Sequence, residues 1–164
     1  TDLLFKESYD VIERIRQKYG INPERYGAEM TLDEMALEHG PELWKKDTDK
    51  CCGIRKVVPL TQALAGLKAW ITGIRRDQAP TRANAPIVSW DGKFNLVKIN
   101  PLVKWTNKDV WDYIHKNDVP YNLLHDRNYP SIGCEPCTRQ VMPGEDPRGG
   151  RWAGSQKTEC GLHK

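Results

Sequence analysis

No stretch of this sequence carries the roughly 18 consecutive apolar residues that a membrane-spanning helix needs, so the chain reads as soluble. A secretory signal is also missing: the opening TDLLFKESYD has neither a basic leader nor an apolar segment behind it. There is no initiator methionine, which suggests a processed chain or a piece of a longer one. Internal repeats and low-complexity tracts are absent, which excludes repeat arrays and long compositional linkers. Charge of one sign is scarce as well. Lys and Arg number 25 against 22 Asp and Glu, and the resulting +3 is too small to argue by itself for a nucleic-acid partner. What is present is globular: 38% apolar and 29% charged residues over 164 positions, a length that suits one domain with a modest core.

Local patterns outline an α/β chain. Phe5, Tyr9, Ile12, Ile15 and Tyr19 recur at steps of three and four with Gly20 as a stop, predicting an amphipathic helix. Thr31 and Glu34 have capping-box spacing and open a short helix that ends near Gly40, after which Pro41 starts a turn carrying Leu43 and Trp44. VVPLTQALAGL predicts a helix interrupted or restarted at Pro59, and KAWITGI a short buried strand. Asp91-Gly92 between two β-rich runs predicts a hairpin over 87–99, and Thr106 caps a helix over 107–117. Beyond Tyr121 regularity fades. The glycine-rich end reads as a flexible tail, giving a division into 1–140 and a tail 141–164.

Five cysteines divide as four plus one. Cys51 and Cys52 are adjacent, and a disulfide between neighbours has poor geometry. Cys134 and Cys137 form a C-x-x-C pair, which converges two sulfurs on one inorganic centre. Four thiolates suit zinc or an iron–sulfur cluster. The adjacent pair favours a [4Fe–4S] cluster, whose separate irons can each take one neighbour. Cys160 is left over near Lys157 and His163, and an unpaired thiolate there is a candidate nucleophile. Arginines gather twice, as Arg75, Arg76 and Arg82 and as Arg139, Arg148 and Arg151, in loops that suit a phosphate or sulfate ligand.

In order, CCGIRKVVPL, WITGIRRDQAPTR, SIGCEPCTR, GRW and the terminal ECGLH resemble the assimilatory adenylyl-sulfate reductases, cytoplasmic enzymes that use thioredoxin to reduce adenosine 5′-phosphosulfate (APS) to sulfite and AMP. The likeness covers nearly the whole chain. The four extra cysteines accompany the cluster-bearing APS reductases, whereas the related reductases of the 3′-phosphorylated substrate (PAPS) typically lack them and keep ECG[LI]H. The resemblance implies a [4Fe–4S] cluster on Cys51, Cys52, Cys134 and Cys137, a nucleophile at Cys160, and Lys56 between cluster and substrate. It implies that Arg82, Arg148 and Arg151 contact the phosphosulfate. It implies an adenine-nucleotide α-hydrolase-like (Rossmann-like) fold, a mostly parallel sheet wrapped by helices. Thioredoxin and APS are then the partners, with neither nucleic acid nor membrane, and a homo-oligomer is left open. The family's Ser-Gly-Gly-Lys-Asp-Ser-like nucleotide loop has no match here, so the chain is expected to be a C-terminal portion of a longer enzyme. Two other readings remain at this point: the same enzyme class acting on PAPS, and a zinc-stabilised module that binds nucleic acid or another anion.

Overall fold

The computed structural model describes residues 1–162, and the chain divides into two compact units. The first comprises residues 1–63 together with 122 onward; the second comprises residues 64–121.

The first unit is helical at its N-terminal end. α1 spans Lys6–Tyr19 and stops where Gly20 turns left-handed (φ 62°) and returns its N–H to the Arg16 carbonyl. The helix matches its predicted extent, yet Tyr9, Ile12 and Tyr19 stay exposed, and only Phe5 at its N-terminal boundary is buried, edge-on to Tyr129. α2 (Leu32–His39) opens with the predicted capping box between Thr31 and Glu34. α3 (Leu43–Lys46) and α4 (Thr48–Cys52) follow, and Met35, Leu43 and Cys51 form a buried cluster packed by Met30, Leu32, Trp44 and Ile54. Cys51 therefore belongs to the apolar core of this unit.

The interruption expected at Pro59 takes a different form. α4 does not break; it continues through a π-helical turn, Gly53–Val57, into α5 (Val58–Leu64), with the Val58 N–H reaching back to the Gly53 carbonyl. A proline ring presses on the carbonyl four residues earlier, here Arg55, and a turn widened by one residue relieves that crowding.

The rest of the unit is held by backbone rather than regular elements. Leu4 pairs with Cys134 in an isolated antiparallel bridge, and the Glu135 N–H donates to the Leu3 carbonyl at 2.7 Å. A second bridge joins Thr138 to Arg151, flanked by Arg139 N–H to Gly150 O at 2.9 Å and Trp152 N–H to Cys137 O at 3.0 Å. These two pairings fix the C-x-x-C loop on both sides.

The second unit holds a three-stranded sheet of order β1-β3-β2. β1 (Ala69–Ile71) is parallel to β3 (Leu96–Ile99), and β2 (Val88–Asp91) is antiparallel to it. The sheet among the described residues is thus small and mixed: the β1 pairing is the parallel one of an α/β fold, and the hairpin contributes the antiparallel one. The hairpin forms where expected, with Asp91 accepting from the N–H groups of Lys93 and Phe94 and Asn95 taking the left-handed conformation. Asn100, fully buried, closes the sheet end by accepting from Thr72 Oγ1 and donating to the Pro86 carbonyl. α6 (Asn107–Lys116) starts at Thr106, whose hydroxyl and backbone exchange hydrogen bonds with Asp109.

Candidate active site

The first unit holds eight of the nine site residues assigned by pattern or resemblance, all but Arg82. Cys51 and Cys52 end α4, buried; Cys134 is buried and Cys137 half-buried on the loop pinned by the two bridges; all five cysteines are free. Their charges are mutually felt. Burial, and then Cys52, Cys137 and Cys134 in turn, push the Cys51 thiol up to about 11. Burial pushes the Cys52 thiol up, opposed by Lys56 and Lys157 and reinforced by Cys160. Cys137 is raised by burial and by Cys134 and Cys52, and eased by Lys56 and Arg151. Four sulfurs from two stretches of sequence far apart therefore share one electrostatic neighbourhood, with Lys56 in the π turn acting on two of them. Among the described residues no three Cys, His, Asp or Glu side chains form a ready ligand set for a single ion.

Arg151 faces the same neighbourhood. Its guanidinium stacks on the Trp152 ring at 4.4 Å and donates from Nη1 to Ser131 Oγ and the Ile132 carbonyl, both at 3.3 Å. Gly133 leaves the room: a Cβ there would run into the guanidinium. Burial and Arg148 lower the Arg151 pKa, while Cys160, Cys134 and Cys137 raise it. Its Nε is buried without a hydrogen-bond partner. A buried unsatisfied donor is costly to maintain, and a bound anion would satisfy it.

The tail reaches the cysteines. Arg148 donates to the Thr158 carbonyl at 2.7 Å and lies 3.5 Å from the buried Glu159 carboxylate, which places these groups beside half-buried Cys160. A cleft of about 300 Å³ opens next to Cys137, lined by Trp44, Thr48, Pro136, Arg139 and Trp152. His163 lies outside the described residues.

Arg82 belongs to the second unit. It ends a 3₁₀ turn, Pro80–Arg82, and donates to Gln78 Oε1 at 2.6 Å. Nearby in that unit Lys98 is held low, first by burial, against an opposing pull from Asp91 and with Arg82 adding to the depression.

Two contributors, Arg55 and Glu159, escaped sequence reasoning, as did the burial and partner of Lys157, which was read only as a neighbour of Cys160. Arg55 is buried and donates to the carbonyls of Thr1 (2.5 Å) and Met30 (2.9 Å) and to Asp2, tying the N-terminal segment to the π turn. Glu159 pairs with Arg148, and the Lys157 ammonium pairs with Asp49, far away in the unit's sequence, which spacing does not reveal.

A family model described as the phosphoadenosine phosphosulfate reductase domain matches residues 1–140. The adenosine 5′-phosphosulfate reductase of Lysinibacillus sphaericus is 52% identical over 165 residues, covering 100% of this chain and 71% of the relative. Adenosine 5′-phosphosulfate reductase 1 of Bacillus subtilis gives the same figures, 52% identity with 100% and 71% coverage. Among solved structures, the phosphoadenylyl-sulfate (PAPS) reductase of Candida auris, a phosphate complex, aligns with a TM-score of 0.72 and 31% identity over 85% of this chain and 67% of that one. The FMN adenylyltransferase of Candida glabrata, at 17% identity and a TM-score of 0.55, covers 84% of this chain and 42% of its own, and shares the fold alone.

Proposed function

The chain belongs to the phosphoadenosine phosphosulfate reductase domain family, and from that membership we propose that it reduces adenosine 5′-phosphosulfate to sulfite and AMP in sulfate assimilation. The observation that carries the reading is a buried arginine, Arg151, whose Nε has no partner and which feels a fifth, separate thiol as well as two of the four other cysteines.

The reaction joins two anions, so cations must hold the electrophile. Arg151 offers an unsatisfied buried donor, and Arg148 and Lys56 add charge in the same unit. Arg82, on its 3₁₀ turn, is assigned to the phosphosulfate by the family resemblance. The Cys160 thiolate attacks the sulfate sulfur. An S–S bond forms while the bond from sulfur to the phosphate oxygen breaks, and the electron pair departs with AMP, leaving Cys160–SO₃⁻. A thioredoxin thiolate then attacks Cys160 Sγ. The bond to SO₃ breaks, sulfite leaves with the electron pair, and the second thioredoxin thiol resolves the mixed disulfide and frees Cys160. The dithiol supplies both electrons that reach sulfur.

Cys51, Cys52, Cys134 and Cys137 fit a [4Fe–4S] cluster by their donor chemistry: all sulfur, all free, gathered in one unit, and unfavourable as thiolates unless metal neutralises them. Bound there, the cluster would tune the electrostatic field around the sulfate rather than pass electrons. Free thiols in this number also suit a reducing, cytoplasmic compartment.

The test is mass spectrometry of the cofactor-loaded enzyme incubated with APS alone. A gain of one SO₃ on Cys160, discharged by reduced thioredoxin, is expected. Sulfite formation that survives Cys160→Ser overturns the reading, as does preference for PAPS over APS in a competition assay. A colourless protein with stoichiometric zinc would overturn the cluster.

A further inference from the structure

We infer that Lys157 is a positioning residue for Cys160, its ammonium pinning the tail to the start of α4 three residues ahead of the thiol. The inference rests on the proposed function only in taking Cys160 as the reacting sulfur.

The Lys157 side chain is 4% exposed, whereas its partner Asp49 is 78% exposed. The lysine has been drawn into the protein; the carboxylate has stayed at the surface. Its Nζ donates to Asp49 Oδ1 at 2.6 Å and to the Thr48 carbonyl at 3.0 Å, hydrogen-bonds with the Cys52 thiol, and sits 5.7 Å from the centre of the Trp152 ring. An ammonium is buried at a cost that only several well-placed partners offset. Here they come from α4 and from the tail itself, and the pairing bridges 108 residues of sequence.

Geometry gives the pin its consequence. Three residues of extended chain span at most about 11 Å, so fixing Lys157 against Cys52 confines Cys160 to a small volume around the cysteine cluster. Cys52 and Arg151 both feel Cys160, consistent with that confinement. Arg148 grips the intervening residues through the Thr158 carbonyl and the Glu159 carboxylate. A thiol on a free tail must find the electrophile by diffusion of the linker; a pinned one is already oriented, which is a gain in the attack step and not in substrate affinity. Because Asp49 lies in solvent, the pin is also easy to release when the sulfur must meet an external thiol.

The test uses the cofactor-loaded enzyme and three variants: Lys157→Ala, Asp49→Asn and the double change. Carboxamidomethylation of Cys160 by iodoacetamide, followed by peptide mass spectrometry, reads tail position whether or not APS is the substrate. Lys157→Ala is expected to speed labelling and to slow formation of the Cys160–SO₃⁻ adduct, each by about tenfold, with KM for APS changed less than about twofold, the size of one lost charge-assisted hydrogen bond. Asp49→Asn should move both in the same direction, and the double variant should be no worse than Lys157→Ala, since the two side chains act as one unit. Lys157→Arg should restore most of the adduct rate. The inference is overturned if labelling in both single variants stays within about twofold of the parent enzyme, if the single effects multiply in the double variant, or if KM rises while the adduct rate holds. Should Lys157→Ala lose its cofactor, the surface variant Asp49→Asn decides by the same labelling criterion.

Discussion

Raising the pH on cofactor-free protein probes the cysteine cluster directly. The Cys51 thiol, ordinarily near 9.0, is pushed up to about 11 by burial in the core with Met35 and Leu43 and by the three neighbouring cysteines. A displacement from 9.0 to about 11 leaves about a hundredfold fewer thiolates than an ordinary cysteine has anywhere below pH 9. The assay is iodoacetamide labelling from pH 7 to 11, with the Cys51 peptide quantified against a free cysteine peptide. Burial slows the absolute rate, but the pH profile is independent of access. Labelling of the free peptide should level off near pH 9, whereas labelling of Cys51 should keep rising about tenfold per pH unit to about 11. The linked stability has the opposite sense. A group whose folded pKa is raised stabilises the fold fully below the unfolded value and loses that contribution as pH climbs through 9 towards 11, so cofactor-free protein should soften over this window. A Cys51 profile that levels off at the free-peptide value would refute the claim that core burial and neighbouring sulfurs govern this thiol.

Met35→Ala should cost about 2–5 kcal/mol in denaturant unfolding, because Met35 is 2% exposed at the centre of the cluster that seats Cys51. Gly150→Ala should destabilise by about 1–3 kcal/mol and weaken substrate binding together, since a Cβ at that position meets the Arg139 carbonyl and would open the bridge that carries Arg151; calorimetry and KM for APS check both. Lys56→Ala, with its cofactor content verified by iron analysis, should slow sulfite formation by about tenfold or more, because Lys56 acts on Cys52 and Cys137 from the π turn; unchanged turnover would remove it from the site.

What could be read in advance follows the range of the interactions. The Thr31–Glu34 capping box, the Thr106 cap, the Gly20 stop and the Asp-Gly hairpin are decided within a few residues, and all appear where local chemistry puts them. The cysteine pairs were legible because thiols are scarce and their spacing is informative. The exposure of Tyr9, Ile12 and Tyr19 was not, since periodicity says which face is apolar but not what covers it. Arg55, Lys157 and Glu159 find their partners through the fold: Arg55 reaches Thr1 across 54 residues and Lys157 reaches Asp49 across 108. A lysine on a glycine-rich tail carries no local mark that it will be buried. The buried strand expected over KAWITGI is shorter and largely exposed: it shrank to Ala69–Ile71 because its pairing with β3 ends at Ile99, where Asn100 turns its side chain to Thr72 and Pro86, and Ile71 stays in solvent.

The widened turn ahead of Pro59 sets an angle as well as relieving a clash. Each residue of an α-helix advances the chain by about 100°, so one surplus residue between α4 and α5 shifts the azimuth of α4 relative to α5. The adjacent thiols lie on the upstream side, at the last two positions of α4. Their aim toward the C-x-x-C loop is therefore a matter of helical phase, and deleting a single residue from Gly53–Val57 would leave every cysteine in the chain while swinging two of them away from the others.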